Sequence, residues 1–542
     1  MVHPDKSWTR REFLKLCGQA GVLSAYPTLA SAAAALEAET VCISILHTTD
    51  LHGHILPTAD YDGNAGYGGL ARCVTQIRHW RRQNPNSILI DVGDVYQGTD
   101  VSLRNKGELM IGLFNHLRYD AWIVGNHEFD WGIETFTNAL QKSSMPVLAA
   151  NTRLDGKPAG ELPDSQHPFA KMQPLIVREI GGIKVAIIGI TTPGMPFWLP
   201  TELTRGMEFQ HPVEPVRLAI ATAKRQGADA IILAGHMGLK MRTGGDDFAN
   251  SVMALTSEFP EAAVFIAGHT HQDIPSRVTN GVLFTQADHF GIHVGRVDLI
   301  FDRQSRKLIH KQAACELMDD RIQPDHVVIS RAKSQLAESD TALSTPVSEL
   351  SKMLRAASRP GIPSELERLI GAAVTEALAR RNVTVQGVLH GMLDDKAELA
   401  AGPVTLREIW KLLPYENYVV TAELSPDEIK AVMQEVFTSH EKRNLLGFEI
   451  KTQGRGDACQ IVSMTLDDGR PLDRGRKYAI AFNSFDSRSG GHHFMKLRAL
   501  LDRPEVNRVL HPLQTRDALI EYLQRYKTVH RIGAGIPVAI AA

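Results

Sequence analysis

The sequence predicts an α/β protein built in two regions, and three observations carry that prediction. Apolar runs of strand length alternate with segments of helical spacing as far as residue 302. Asp, Asn and His residues recur just past the ends of five of those runs. A polar stretch and a helical pattern then lead into a second set of elements that ends near residue 530. The bulk numbers agree with a globular chain. Its 542 residues allow several domains, and 43% hydrophobic with 22% charged residues is ordinary for a folded protein. A net charge of −2 argues against a nucleic-acid partner and against a basic membrane-binding face.

The chain opens on an address. Arg10 and Arg11 precede Phe13, Leu14 and Lys15 and a mildly apolar stretch that ends in Ala30, Ser31 and Ala32. This resembles a bacterial twin-arginine export signal with a small-residue cleavage site. The stretch carries Gly and Pro and is too short to span a bilayer. The expected partner is therefore the twin-arginine export machinery, without stable membrane insertion, and the expected location is periplasmic or secreted. Replacing Arg10 and Arg11 together by Lys should leave the protein in the cytoplasm with its leader attached. Normal delivery of that double variant, read by fractionation and mass, would show a different kind of signal. The five cysteines Cys17, Cys42, Cys73, Cys315 and Cys459 contain no C-x-x-C pair and read as free thiols.

Strands are expected at 41–47, 87–94, 121–126, 183–191, 228–236, 262–270, 281–287 and 294–302, with helices at 68–83, 107–117 and 213–226. The expected organisation is a signal at 1–35, a first domain at 36–310, a linker helix at 311–345 and a second domain at 346–535. At the strand ends stand Asp50 and His52, then Asp94, then Asn126 and His127, then His236, then His269 and His271. Open α/β sheets place ligand sites at the carboxyl ends of their strands. One such motif is usually a turn or a helix cap; five in order converge on one edge. Carboxylate, imidazole and amide donors suit Zn, Mn, Fe or Co, and the lack of thiolates argues against a structural zinc. One carboxylate can bridge two ions roughly 3.5 Å apart, which can share a hydroxide and clamp a phosphate under in-line attack. His3, His54, His79, His116, His211, His289 and His293 fall outside the pattern and read as ordinary surface or core residues.

The order D-x-H, G-D, G-N-H-E, H, G-H-x-H resembles the calcineurin-like metallophosphoesterases. Within them, N-H-E-F-D and G-H-T-H followed by a second domain resemble the 5′-nucleotidase family. The resemblance implies a four-layer αββα sandwich followed by an α/β substrate-binding domain, and two divalent ions. It implies Asp50, His52, Asp94 and His271 for one ion and Asp94, Asn126, His236 and His269 for the other. His127 would then be the catalytic residue that stabilises the transition state or protonates the leaving oxygen, oriented by Asp130, with Glu128 buttressing the loop.

The second region resembles the family's substrate domain. Tyr415 and Asn417 stand in its Pro-Phe-x-Asn segment, and Phe485, Gly490 and Gly491 in its second stacking segment. A base between two aromatic faces is worth about 1–3 kcal/mol per ring. The family's phosphate-binding arginines are missing from residues 388–402, and His492 replaces its ribose-binding Asp, which leaves Arg488 as a substitute contact. The implied function is hydrolysis of a small phosphate ester, a nucleotide, in nucleotide catabolism. The alternatives are a phosphodiesterase or nucleotide-sugar hydrolase, a thiosulfohydrolase relative, and a binding protein on an inactive phosphatase fold. The N-H-E-x-D block, altered in the thiosulfohydrolase branch, is kept here, and every ligand is present.

Overall fold

A strand covered on both faces has no polar side to present, and residues 40–48 are of that kind. Ile43 and Ile45 point into one core, and Leu46 into another. In the computed structural model, which describes residues 39–529 apart from 61–62, 159–160, 163–166, 240–245, 393, 440, 490–492 and 527, this segment is the centre of a sheet. The export signal, Gly490, Gly491 and His492 lie outside the described residues.

The principal strands, in chain order, are β1 (Thr40–Thr48), β2 (Ser87–Asp91), β3 (Ala121–Ile123), β4 (Val147–Leu148), β5 (Met172–Gln173), β6 (Leu175–Ile180), β7 (Ile183–Ile190), β8 (Ala230–Gly235), β9 (Val264–Ala267), β10 (Asp273–Thr279), β11 (Val282–Ala287), β12 (His293–Asp302) and β13 (Leu308–Leu317). They form two sheets, in the orders β13-β12-β1-β2-β3-β4-β5 and β6-β7-β8-β9-β11-β10. The sheets pack face to face, with Ile43, Ile45 and Ile90 in one core with Val185, Ile187 and Ile232. Helices Leu70–Gln83, Glu108–Leu117 and Ile133–Lys142 cover the first sheet's outer face. Val213–Arg225 and Val252–Glu258 cover that of the second. The result is the expected helix–sheet–sheet–helix sandwich.

The second region holds β14 (Gly387–His390), β15 (Tyr418–Leu424), β16 (Asn444–Leu446), β17 (Tyr478–Asn483) and β18 (Val509–Gln514), in the order β16-β14-β17-β15-β18. Val388, Val419 and Ala481 pack on one face of that sheet under helices Glu365–Ala379 and Thr515–Arg525. Leu389, Ala422 and Ile480 pack on the other, under Pro426–Thr438.

One expectation is overturned. Residues 311–317 belong to strand β13, paired antiparallel with β12, and the helix begins only at His326. Asp325 caps it by accepting the Val327 and Val328 N–H groups at 3.0 and 3.1 Å. β13 is an edge strand, so its exposed Ile309 and half-covered Lys311 and Gln312 break the apolar run that marks the inner strands. Among the described residues, Cys73, Cys315 and Cys459 are free thiols, and no helix is long and apolar enough to cross a membrane.

Candidate active site

β1, β2 and β3 run parallel in one sheet and β7, β8 and β9 in the other. Their carboxyl ends bring Asp50, His52, Asp94, Asn126, His236, His269 and His271 together. Two donor groups result, Asp50–His52–Asp94–His271 and Asp94–His236–His269, with the donor atoms of each within 4.8 Å of one another and Asp94 common to both. Asn126 completes the second, its Oδ1 3.1 Å from His236 Nε2.

The backbone is bent to achieve this. Asp50, His52, Asp94, His269 and His271 all have φ between 47° and 72°. The left-handed region costs a side-chain-bearing residue on the order of 1 kcal/mol or more, and such strain collects at functional sites. The turns are held by buried carboxylates. Glu128 accepts the N–H groups of Asp94 (3.0 Å), Val95 (2.7 Å) and Gly125 (2.7 Å), the buttressing expected of it. Asp91 accepts from Gly93 N–H at 2.9 Å and from the Thr48 hydroxyl at 2.6 Å. A Cβ on Gly125 would stand 2.3 Å from Asp94 Oδ1, so only glycine admits the carboxylate common to both groups.

The donor atoms fit a cation. His236 Nδ1 lies 2.7 Å from the Val92 carbonyl and His52 Nδ1 2.9 Å from that of Gln97. Each Nδ1–H therefore donates outward, and each Nε2 faces inward. His236 Nε2 then meets Asn126 Oδ1 and Asp94 Oδ2 at 3.1 Å each, and His52 Nε2 meets His271 Nε2 at 3.1 Å. Donor atoms converging at such distances call for positive charge among them, from a bound cation or from a proton on His236, whose pKa burial would lower but Asp94 and Asp50 raise to about 9. Burial holds His52 and His269 at about 3, as neutral imidazoles. Burial would raise the Asp94 carboxyl, but His236 and His127 hold it well below the usual range.

Beside this centre, His127 Nδ1 lies 2.7 Å from Asp130 Oδ2, and the His127 backbone N–H donates to Asp94 Oδ1 at 2.8 Å. Burial alone would depress the imidazole; Asp130 and Asp94 instead raise it to about 10.

The second region contributes its own edge. The β17 carboxyl end lies beside the start of β15, with Val419 opposite Asn483. Tyr415 and Asn417 on one side and Phe485 on the other therefore share that edge. The Tyr415 ring reaches the first domain's site, 6.4 Å from the His127 ring at 25°. Phe485 is 46% exposed, which suits a stacking platform. Arg488 is engaged elsewhere: it donates to the Pro196 carbonyl of the first domain and pairs with Asp502 at 3.1 Å.

Sequence reasoning missed several neighbours. The Tyr418 hydroxyl donates to the Asp130 carbonyl at 2.9 Å. Gln97, Glu416 and Arg516 form a buried chain between the domains. His289, set aside as ordinary, stacks on His271 at 4.9 Å and 12° and lies 2.5 Å from Asp288. Its place after a strand, in Asp288-His289-Phe290, was the available signal.

Comparison with known proteins agrees with this fold. The description "Calcineurin-like phosphoesterase" matches residues 43–273, and "5'-nucleotidase, C-terminal domain" matches 348–499. A snake venom 5'-nucleotidase from Gloydius brevicauda is 25% identical over 86% of this chain and 84% of its own. The trifunctional nucleotide phosphoesterase protein YfkN of Bacillus subtilis is 22% identical over 91% of this chain, which spans only 38% of that relative's length. The crystal structure of a 5'-nucleotidase precursor from Thermus thermophilus shares the fold, with a TM-score of 0.66 at 22% identity over 90% of this chain and 97% of its own.

Proposed function

The chain belongs to the calcineurin-like phosphoesterases with a 5′-nucleotidase-type C-terminal domain, and from that membership we propose that it is an exported phosphohydrolase that uses two divalent ions to release phosphate from nucleotides. The observation that carries the reading is the pair of donor groups sharing Asp94, with the His127–Asp130 pair beside them. Asp50, His52, Asp94 and His271 would hold one ion; Asp94, Asn126, His236 and His269 would hold the other. Ions bound there supply Lewis acidity to phosphoryl oxygens and to water.

The chain's own groups do the remaining work. Asp130 accepts the Nδ1 proton of His127 and, with Asp94, holds the ring as a cation, so that Nε2–H is also present to meet the leaving oxygen. Tyr415 and Phe485 offer aromatic faces to a base, and Asn417 an amide. The lack of arginine in residues 388–402 supports a second reading, in which the substrate carries no free terminal phosphate, as in a cyclic nucleotide or a nucleotide sugar.

Hydrolysis of nucleoside mono-, di- and triphosphates and an aryl phosphate, followed as phosphate release, and of nucleotide sugars and cyclic nucleotides, followed as mononucleotide formation, each with Mn²⁺, Co²⁺ and Zn²⁺, tests the reading. No hydrolysis of any of them would sink it. Tyr415→Ala tests the nucleotide part. Loss of one stacking face, ~1–3 kcal/mol, should raise KM for a nucleotide about 5- to 150-fold. An aryl phosphate should be hydrolysed nearly as before. Equal loss toward both substrates would mean that the ring serves the catalytic centre, and nucleotide specificity would need another source.

A further inference from the structure

Gln97 faces two ways. Its backbone carbonyl accepts from His52 Nδ1 at 2.9 Å, and its side-chain amide donates to Glu416 of the second domain. Both side chains are buried, Gln97 fully and Glu416 at 7% exposure. The segment between Gln97 and Thr99 has no slack, because a Cβ on Gly98 would come within 2.7 Å of the His52 carbonyl.

Glu416 is held in turn. Its other oxygen accepts from Arg516 Nη2 at 2.6 Å, and Arg516 is 1% exposed. The same guanidinium donates through Nη1 to the Leu413 and Pro414 carbonyls at 3.0 and 3.2 Å and lies 3.5 Å over the Trp410 ring. Arg516 therefore fixes the turn that carries both Tyr415 and Glu416. A buried carboxylate is costly unless its partners are in place, and half of this one's partners lie in the other domain.

We infer that Glu416 is a positioning residue for the catalytic centre: through Gln97 it sets the orientation of His52, so that the Asp50–His52–Asp94–His271 group is fully formed only when the second domain is docked. The inference rests on the two-ion reading above. It gives the second domain a role in the chemistry as well as in recognition. Groups that orient a metal-ligating histidine typically change metal affinity about 10–100-fold when removed.

The test uses the full chain and Mn²⁺ alone. Calorimetric titration of Glu416→Ala should show one of two ions bound about 10–100-fold more weakly and the other unchanged, and kcat toward an aryl phosphate should fall. Glu416→Gln alone turns an amide toward the Gln97 amide and should behave similarly. Gln97→Glu combined with Glu416→Gln restores a donor facing a carboxylate and should recover the affinity that either single change loses. That recovery is something a merely destabilised interface would not give. Wild-type affinity for both ions and wild-type kcat in Glu416→Ala, or no recovery in the paired variant, would overturn the inference. An unaltered protein that bound no Mn²⁺ would overturn the two-ion reading itself.

Discussion

Asp94→Asn is expected to remove both ions and nearly all phosphate release, by about 10³-fold or more if each ion contributes several kcal/mol to the transition state. Asp94 alone belongs to both donor groups. Its Oδ2 lies 3.1 Å from His236 Nε2 and 3.7 Å from His52 Nε2, and its Oδ1 accepts the His127 N–H. The amide removes a charge from both groups at once. It also offers at most one oxygen where two are used, and its NH₂ cannot serve as a ligand. Its volume is almost unchanged, and Glu128 and Gly125 contact the Asp94 backbone and side chain in ways an Asn can keep, so the fold should survive. Metal content by mass spectrometry and turnover with an aryl phosphate are the measurements. Two ions retained with near-normal turnover would show that Asp94 does not bridge.

The strand-end residues were legible because their signal is local and repeated. Each motif sits directly after an apolar run, and the parallel order of β1–β2–β3 and β7–β8–β9 turns sequence order into a common edge. The sandwich was legible for the same reason, since strands apolar on both faces require cover on both. Less was readable where pairing is distant or burial is partial. β13 hid because an edge strand is half wet. Gln97 and Glu416 are 319 positions apart, and nothing in either neighbourhood marks a contact across domains. Glu416 lies in a turn beside Tyr415, where a charged residue looks like a solvated one. Arg516 opens a helix and is buried only because the 413–416 turn folds over it. His289 was passed over because its role is stacking on His271, which leaves no mark on spacing.

His127→Ala should separate chemistry from binding. The side chain is expected to act only as charge develops on the leaving oxygen, so its loss should cut kcat about 10²–10⁴-fold with little change in KM. Metal content should also hold, for a structural reason. The link from His127 to the metal centre runs through its backbone N–H to Asp94 Oδ1, and alanine keeps that bond. What alanine removes is the imidazole, which Asp130 and Asp94 hold as a cation at neutral pH. Asp130 would be left with the Glu416 carboxylate as a neighbour and without its 2.7 Å partner. Some loss of thermal stability is therefore expected, and melting temperature should be followed beside the kinetics. The contrast with Tyr415→Ala is the informative comparison. One variant should lower kcat for every substrate, and the other should raise KM only for those that carry a base. A His127→Ala protein that lost Mn²⁺, or whose KM rose in step with the fall in kcat, would place the imidazole in ground-state binding. The His127–Asp130 pair would then be part of the metal site's support, and the proton for the leaving oxygen would have to come from elsewhere.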